Sequence, residues 1–179
     1  MVNSKGLPGV DFFEFKKTPD LDVDIESLLQ TPYFYEQGLV VRINETGTTE
    51  TLTSMTDLFK YPDSTIKLEG MERLSPSFHR VTEQLKNEFN HDGPVTAHIF
   101  ISPKNGVTFP YHKDLESVLV YVVEGQKNIA VKDKDEYVYT LLKQQGLFIP
   151  EGVYHKAVNE QASVMISFGF ECWLKERCI

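Results

Sequence analysis

Residues 95–170 read VTAHIFISPK NGVTFPYHKD LESVLVYVVE GQKNIAVKDK DEYVYTLLKQ QGLFIPEGVY HKAVNEQASV MISFGF. β-Branched and aromatic residues dominate, in short runs at 95–101, 107–114, 117–123, 126–132, 136–142, 146–149, 153–158 and 163–170, broken by turn-forming residues. About eight short strands at this spacing predict a sandwich or barrel of the jelly-roll kind. The turn cluster Asn90-His91-Asp92-Gly93-Pro94 marks its start.

Upstream the pattern is different. Phe78, Val81, Leu85 and Phe89 recur at three- and four-residue spacing, predicting a helix over 75–89 with one apolar face. His79, Glu83, Lys86 and Glu88 form its polar face. Asp24 is placed to cap a short helix over 25–29, and residues 38–43 (GLVVRI) are a strand candidate, with β-branched residues following the Gly38 breaker. Ser54-Met55-Thr56-Asp57 resembles a capping box opening a helix of about two turns. The first 20 residues mix Gly, Pro and Lys with isolated aromatics and are expected to wrap the surface. Residues 1–94 therefore read as helices and strands packing on the barrel within the same domain, and residues 95–179 as the barrel core with a C-terminal tail. The fold class expected is mostly β with flanking helices.

Composition narrows the function classes. The chain has 179 residues, of which 41% are apolar, enough for a core without disulfide or metal staples. Eighteen Lys and Arg against 26 Asp and Glu give a net charge of −8, which argues against nucleic acid and anionic membrane surfaces as partners. No apolar run approaches the ~20 residues that span a bilayer. The N-terminus lacks the basic-then-apolar layout of a signal peptide, so a cytoplasmic location is expected. Cys172 and Cys178 both fall in the last eight residues and cannot build a thiolate cage, so any metal must use His and carboxylate.

Three segments carry candidate chemistry. In His112-Lys113-Asp114, a strand would put the imidazole and the carboxylate on one face, as two corners of a coordination sphere; the plainer reading is a surface ion pair. In the run 118–131, a two-residue turn at Glu124-Gly125 would make a hairpin with Val122 opposite Lys127 and Val120 opposite Ile129. Lys127 would then share an interior face with Val118, Val120, Val122, Ile129 and Val131. A buried ammonium is costly unless paired, and a bound carboxylate would pair it. The alternatives are a lysine snorkelling to the rim or a register slipped by one residue. In the third segment, His155 alternates with Val153 and Ala157 on a face suited to an interior, as a core histidine or as a third ligand. Two His and one carboxylate make the facial triad of non-haem Fe(II) oxygenases.

Together these pieces resemble the JmjC-type cupins of the 2-oxoglutarate- and Fe(II)-dependent oxygenases. The HxD of His112 and Asp114 is similar to the family's iron motif, and Glu124-Gly125-Gln126-Lys127 to its "EGRK" segment. Residues 148–155 (FIPEGVYH) are similar to its "IPPGWWH", and Asn159 with 163–170 to its closing strand. The resemblance implies a double-stranded β-helix (jelly-roll or cupin) barrel. It also implies Fe(II) held by His112, Asp114 and His155, and the distal carboxylate of 2-oxoglutarate on Lys127, 13 residues after Asp114. O2 would be the oxidant. The hydroxyl that the family often carries three residues before the first iron histidine is replaced by Phe109, leaving Thr108 as the nearest candidate contact. Val118 stands where hydroxylases often carry Asn, and His98 on the preceding strand is either an inward polar group or an ordinary strand residue.

Asp114 favours hydroxylation over halogenation, and a chain of this length without reader domains favours it over demethylation. A peptide or small-molecule substrate is expected, and the resemblance makes a homodimer reasonable. Two competing readings are a metal cupin enzyme that does not use 2-oxoglutarate, which would need no buried cation at Lys127, and a non-catalytic barrel that binds a ligand.

Overall fold

The computed structural model describes residues 6–15, 21 and 23–173; Cys178 lies outside them. The strands are β1 (Asp11–Phe13), β2 (Val40–Ile43), β3 (Thr49–Thr51), β4 (Ile66–Leu68), β5 (Val95–Ser102), β6 (Ser117–Lys132), β7 (Glu136–Leu142), β8 (Gly146–Ile149), β9 (Tyr154–Val158) and β10 (Ser163–Phe170). The helices are α1 (Ile25–Gln30), α2 (Pro32–Glu36), α3 (Met71–Leu74) and α4 (Pro76–Phe89), with a 3-10 helix over Met55–Lys60. Among the described residues no helix is long and apolar enough to cross a membrane.

One antiparallel sheet runs β1-β8-β6-β10-β5-β4-β2-β3, and β7 and β9 flank the far half of β6 in a second sheet. The fold is thus mostly β, of the jelly-roll kind. Alternation on β5 separates two cores. Ala97 and Ile99 face α4, whose Phe78, Val81 and Leu85 are buried as the helical spacing predicts. Thr96, His98, Phe100 and Ser102 face the other way, toward the second sheet, and line a cavity. Between the sheets Val120, Val122, Ile129, Val131, Leu141 and Leu147 form the second core.

The helix starts follow the sequence. Asp24 Oδ1 accepts the Ser27 N–H at 3.0 Å, capping α1. Pro76 opens α4 in its first turn, where no N–H is needed, and Asn90 ends it in the left-handed region at φ 50°. The segment after Ser54 forms a 3-10 helix rather than an α-helix, with the Asp57 carboxylate accepting the Ser54 N–H at 3.1 Å. The N-terminal stretch, expected only to wrap the surface, contributes β1, which extends the large sheet by pairing with β8.

Two expectations require correction. The hairpin at Glu124-Gly125 does not form, because β6 continues through it as one 16-residue strand. Against β10, Val164 pairs with Glu124 but Met165 pairs with Val122, so Val123 is an extra, bulged residue. Gly125 follows at φ 75°, where an added Cβ would lie 2.2 Å from the Ala162 carbonyl oxygen. The strand bends there and passes from one sheet into the other. The bulge also flips the alternation, so even residues before it and odd residues after it face the same interior. Lys127 therefore does share that interior with Val118, Val120, Val122, Ile129 and Val131, through a bulge rather than a turn.

The second correction concerns residues 107–114, which form no strand and make only single bridges, Ser64 to Val107 and His112 to His155. Proline at 103 and 110 removes two ladder N–H groups, and Asn105 and Gly106 turn the chain away.

Candidate active site

His112 and Asp114 sit on the loop between β5 and β6, and His155 on β9. The loop is held to β9 by reciprocal backbone bonds, His112 N–H to His155 O at 3.1 Å and His155 N–H to His112 O at 3.0 Å. Asp114 is fixed through its carbonyl, which accepts the Gly152 N–H at 3.0 Å. The two corners of the HxD thus converge through a one-residue bridge and a loop contact, not through strand alternation.

His112 Nε2 lies 3.6 Å from Asp114 Oδ1, and His155 Nε2 lies 3.3 Å from Asp114 Oδ2. The imidazole rings are 4.5 Å apart, and one ligand atom from each of the three residues falls within 4.8 Å of the others. His112 Nδ1 is 2.9 Å from the Pro110 carbonyl, and His155 Nδ1 is 3.0 Å from the Val153 carbonyl. A carbonyl only accepts, so each Nδ1 carries a proton and each Nε2 is left to point at Asp114. Backbone carbonyls that orient two imidazoles in this way are the usual support of metal-binding histidines. The donor set, its convergence and its fixed tautomers fit a divalent metal with three further positions open. Burial works to raise the Asp114 carboxyl. Its contacts with the imidazoles of His155 and His112 outweigh it, holding the group below the usual carboxylate range.

Lys127 is 1% exposed, one of the largest fully buried side chains among the described residues. Its Nζ donates to Ser102 Oγ at 2.9 Å and to Asn159 Oδ1. Asn159 Nδ2 donates to Thr65 Oγ1 at 3.1 Å and to the Gly106 carbonyl at 2.9 Å, and Thr65 Oγ1 donates to Ser102 Oγ at 3.2 Å. Lysine, serine, threonine and asparagine thus close a ring of hydrogen bonds containing no carboxylate. Burial without a counter-charge pushes the Lys127 amine down to about 8. An amine with two neutral acceptors and no anion is poised for an anionic ligand.

Thr108, the expected second hydroxyl contact, lines the cavity, but its Oγ1 donates to the Phe109 carbonyl at 3.1 Å. The hydroxyls beside Lys127 are Ser102 and Thr65, neither foreseen from sequence. The alternation of Thr96, His98, Phe100 and Ser102 on one strand could have flagged Ser102. Thr65 carries no local signal, since only the pairing of β4 with β5 brings it there.

The triad and Lys127 open onto one cavity of about 190 Å³, with Val118, Val120, Ile129 and Met165 as apolar walls. That is below the ~300–1,000 Å³ of sites for drug-sized ligands and suits a small acid.

No family model and no curated protein sequence matches the chain. Among solved structures it is similar to YcfD, a ribosomal oxygenase from Escherichia coli. Against YcfD in complex with cobalt and 2-oxoglutarate, the TM-score is 0.67 at 14% identity over 94% of this chain and 50% of that one. Against the complex with cobalt and succinic acid it is 0.66 at 15% identity over 93% and 49%. The chain spans about half the length of these structures. At such identities the likeness is one of fold, and it is the fold that the sequence resemblance to JmjC-type cupins implied.

Proposed function

We propose that the protein is a 2-oxoglutarate- and Fe(II)-dependent oxygenase that hydroxylates a protein side chain or a small molecule. The observation that carries this reading is one cavity holding both a His-Asp-His set with fixed tautomers and a buried lysine lacking a counter-ion. The fold shared with a ribosomal oxygenase that binds cobalt and 2-oxoglutarate supports it.

In this reading His112, Asp114 and His155 hold the metal. When bound, Fe(II) with 2-oxoglutarate and O2 supplies the oxidation: 2-oxoglutarate loses CO2, one oxygen atom enters the resulting succinate and the other enters a substrate C–H bond. The rest is work for the chain. The Pro110 and Val153 carbonyls hold the imidazoles in the ligating tautomer, which avoids reorganisation when the metal binds. Lys127, already desolvated and oriented by Ser102 and Asn159, binds the distal carboxylate of 2-oxoglutarate. The oxo-acid end is thereby directed toward the triad. A charge-assisted contact of this kind contributes about 1.5–3 kcal/mol. Val118, Val120, Ile129 and Met165 exclude water from around the co-substrate.

Anaerobic addition of Fe(II) and 2-oxoglutarate tests the proposal through the visible metal-to-ligand charge-transfer band. The wild type is expected to develop the band, His112→Ala to lose it, and Lys127→Ala to need about 10- to 100-fold more 2-oxoglutarate. A featureless wild-type spectrum, or a band indifferent to both substitutions, overturns the reading. A metal cupin that does not use 2-oxoglutarate would bind metal without the band.

A further inference from the structure

His112 and Asp114 ride on a loop whose bonds to β9 and to Gly152 begin only at His112. Upstream, the chain is next tied by the Val107 N–H to the Asp63 carbonyl at 2.9 Å. Among the described residues, 108–111 make no backbone hydrogen bond to another segment. A side chain supplies the missing tie. Tyr111 Oη donates to Glu136 Oε2 at 2.5 Å, 25 residues away in the sequence. Lys156 Nζ lies 4.6 Å and Lys132 Nζ 5.8 Å from the centre of the phenol ring.

Strand register places this contact on the outside of the second sheet. Lys127, Ile129 and Val131 face the interior, so Ala130 and Lys132 face out. Lys156 stands opposite Ala130 and Glu136 opposite Lys132, and directly opposed residues share a face. His112 bridges the edge of β9 that β6 does not use. From there to β7 is three interstrand spacings, about 14 Å. Tyr111 and Glu136 together span β9 and β6, while the next residue, His112, turns its ring inward to within 4.5 Å of the His155 ring. The two ammonium groups on the phenol already restrict it, so less freedom is lost when the hydrogen bond closes.

We propose that Tyr111 is a positioning residue for the metal triad, its hydroxyl and Glu136 forming a clasp that keeps the loop against β9 and His112 aimed at the metal position. The phenol acts only through His112. The proposal rests on the oxygenase reading for the presence of a metal. Opening the clasp frees the backbone just before His112, so the imidazole spends part of its time away from Asp114 and His155. Metal affinity then falls in proportion to the fraction of molecules with all three ligands assembled. Lys127 and its hydrogen-bond partners lie on the inner side of the sheet and keep their arrangement.

Co(II) is titrated into the metal-free full chain and followed by its visible d–d absorption. Tyr111→Phe, which keeps the ring between the lysines, and Glu136→Leu, which removes the acceptor, are each expected to raise the Co(II) Kd about three- to tenfold. The double variant is expected to be no weaker than either single one, because both changes remove the same bond. Glu136→Gln, whose amide oxygen still accepts, is expected to lie closer to the wild type. In the metal-free protein the His112 amide hydrogen is expected to exchange faster in both single variants, while the β6 amides and the melting temperature keep their wild-type values. Affinity for 2-oxoglutarate at saturating Co(II) is expected to be unchanged.

Wild-type Co(II) affinity together with wild-type His112 exchange in Tyr111→Phe overturns the clasp. Additive losses in the double variant, or Glu136→Gln as weak as Glu136→Leu, overturn the hydrogen bond as its cause. A fall in melting temperature and in 2-oxoglutarate affinity matching the loss of metal affinity would mark a general structural role and overturn the positioning one. A wild type that binds no Co(II) overturns the oxygenase reading, whereas the His112 exchange rates, read without metal, still report on the clasp.

Discussion

Lys127 concentrates the residue-scale chemistry. Its amine titrates near 8 in the folded chain, against an ordinary value of 10.5. Between those values the unfolded chain holds the proton that the folded chain has released, so folding stability rises with pH across that window. Lys127→Met removes the titration. Denaturant unfolding from pH 7 to 10.5 is therefore expected to show the wild type gaining on the variant, by on the order of 3 kcal/mol. Co-substrate binding carries the opposite slope, because the distal carboxylate needs the charged amine. Affinity for 2-oxoglutarate is expected to be level below pH 8 and then to fall up to about tenfold per pH unit, measured by anaerobic titration of the charge-transfer band. A flat profile through pH 9 would place the carboxylate elsewhere. Lys127 stood out in the sequence because a lysine among valines and isoleucines is energetically anomalous. The ring that holds it did not, because Ser102, Thr65 and Asn159 are ordinary residues until the sheet brings them together.

At the scale of elements, β6 decides the site. Period-two alternation located its two halves, and the Glu-Gly pair between them has the composition of a tight turn. Composition does not distinguish a two-residue turn from a bulge followed by a left-handed glycine, since both need positive φ at the same residue type. Tertiary packing against Ala162 and Ser163 makes the choice. Gly125→Ala is expected to destabilise the protein by about 2 kcal/mol or more, from a side chain at φ 75° and a Cβ 2.2 Å from a carbonyl oxygen. It should also weaken 2-oxoglutarate binding, because the bulge sets the face that Lys127 occupies. Unchanged melting and unchanged binding would contradict this account of the strand. Helix α4 is the simpler case. Its buried Phe78, Val81 and Leu85 are legible from spacing alone, and Leu85→Ala is expected to cost about 2–5 kcal/mol in denaturant unfolding.

Over the whole molecule, the triad ties parts of the fold that the backbone joins through isolated bridges and single loop hydrogen bonds. His112 and Asp114 come from a loop outside the regular strands, and His155 from the sheet. A metal bound to the folded state alone is therefore expected to raise the melting temperature. At 100 times its Kd it would add about 2.7 kcal/mol, and EDTA should reverse the gain. An Asp114→Ala variant with the full metal-dependent shift would argue that the metal binds elsewhere. The net charge of −8 describes the molecule as a whole, whereas the hydrogen bonds of the Lys127 amine go to the neutral acceptors Ser102 and Asn159.

The sequence by itself located six of the barrel's strands, two of its eight runs being merged in β6 and 107–114 forming a loop instead, and it singled out the apolar face of α4, the candidate triad and the anomaly at Lys127. These follow from periodicities and residue types that operate over a few neighbouring positions. Only the tertiary structure decided that the turn is a bulge and that the HxD loop is held by one bridge to β9 and by the Gly152 N–H on the Asp114 carbonyl. It also decided that Thr65, 62 residues before Lys127 in the chain, closes the ring around its amine. The physical reason is that hydrogen bonds between strands depend on register. Register is set by the packing of whole sheet faces, which no local window contains.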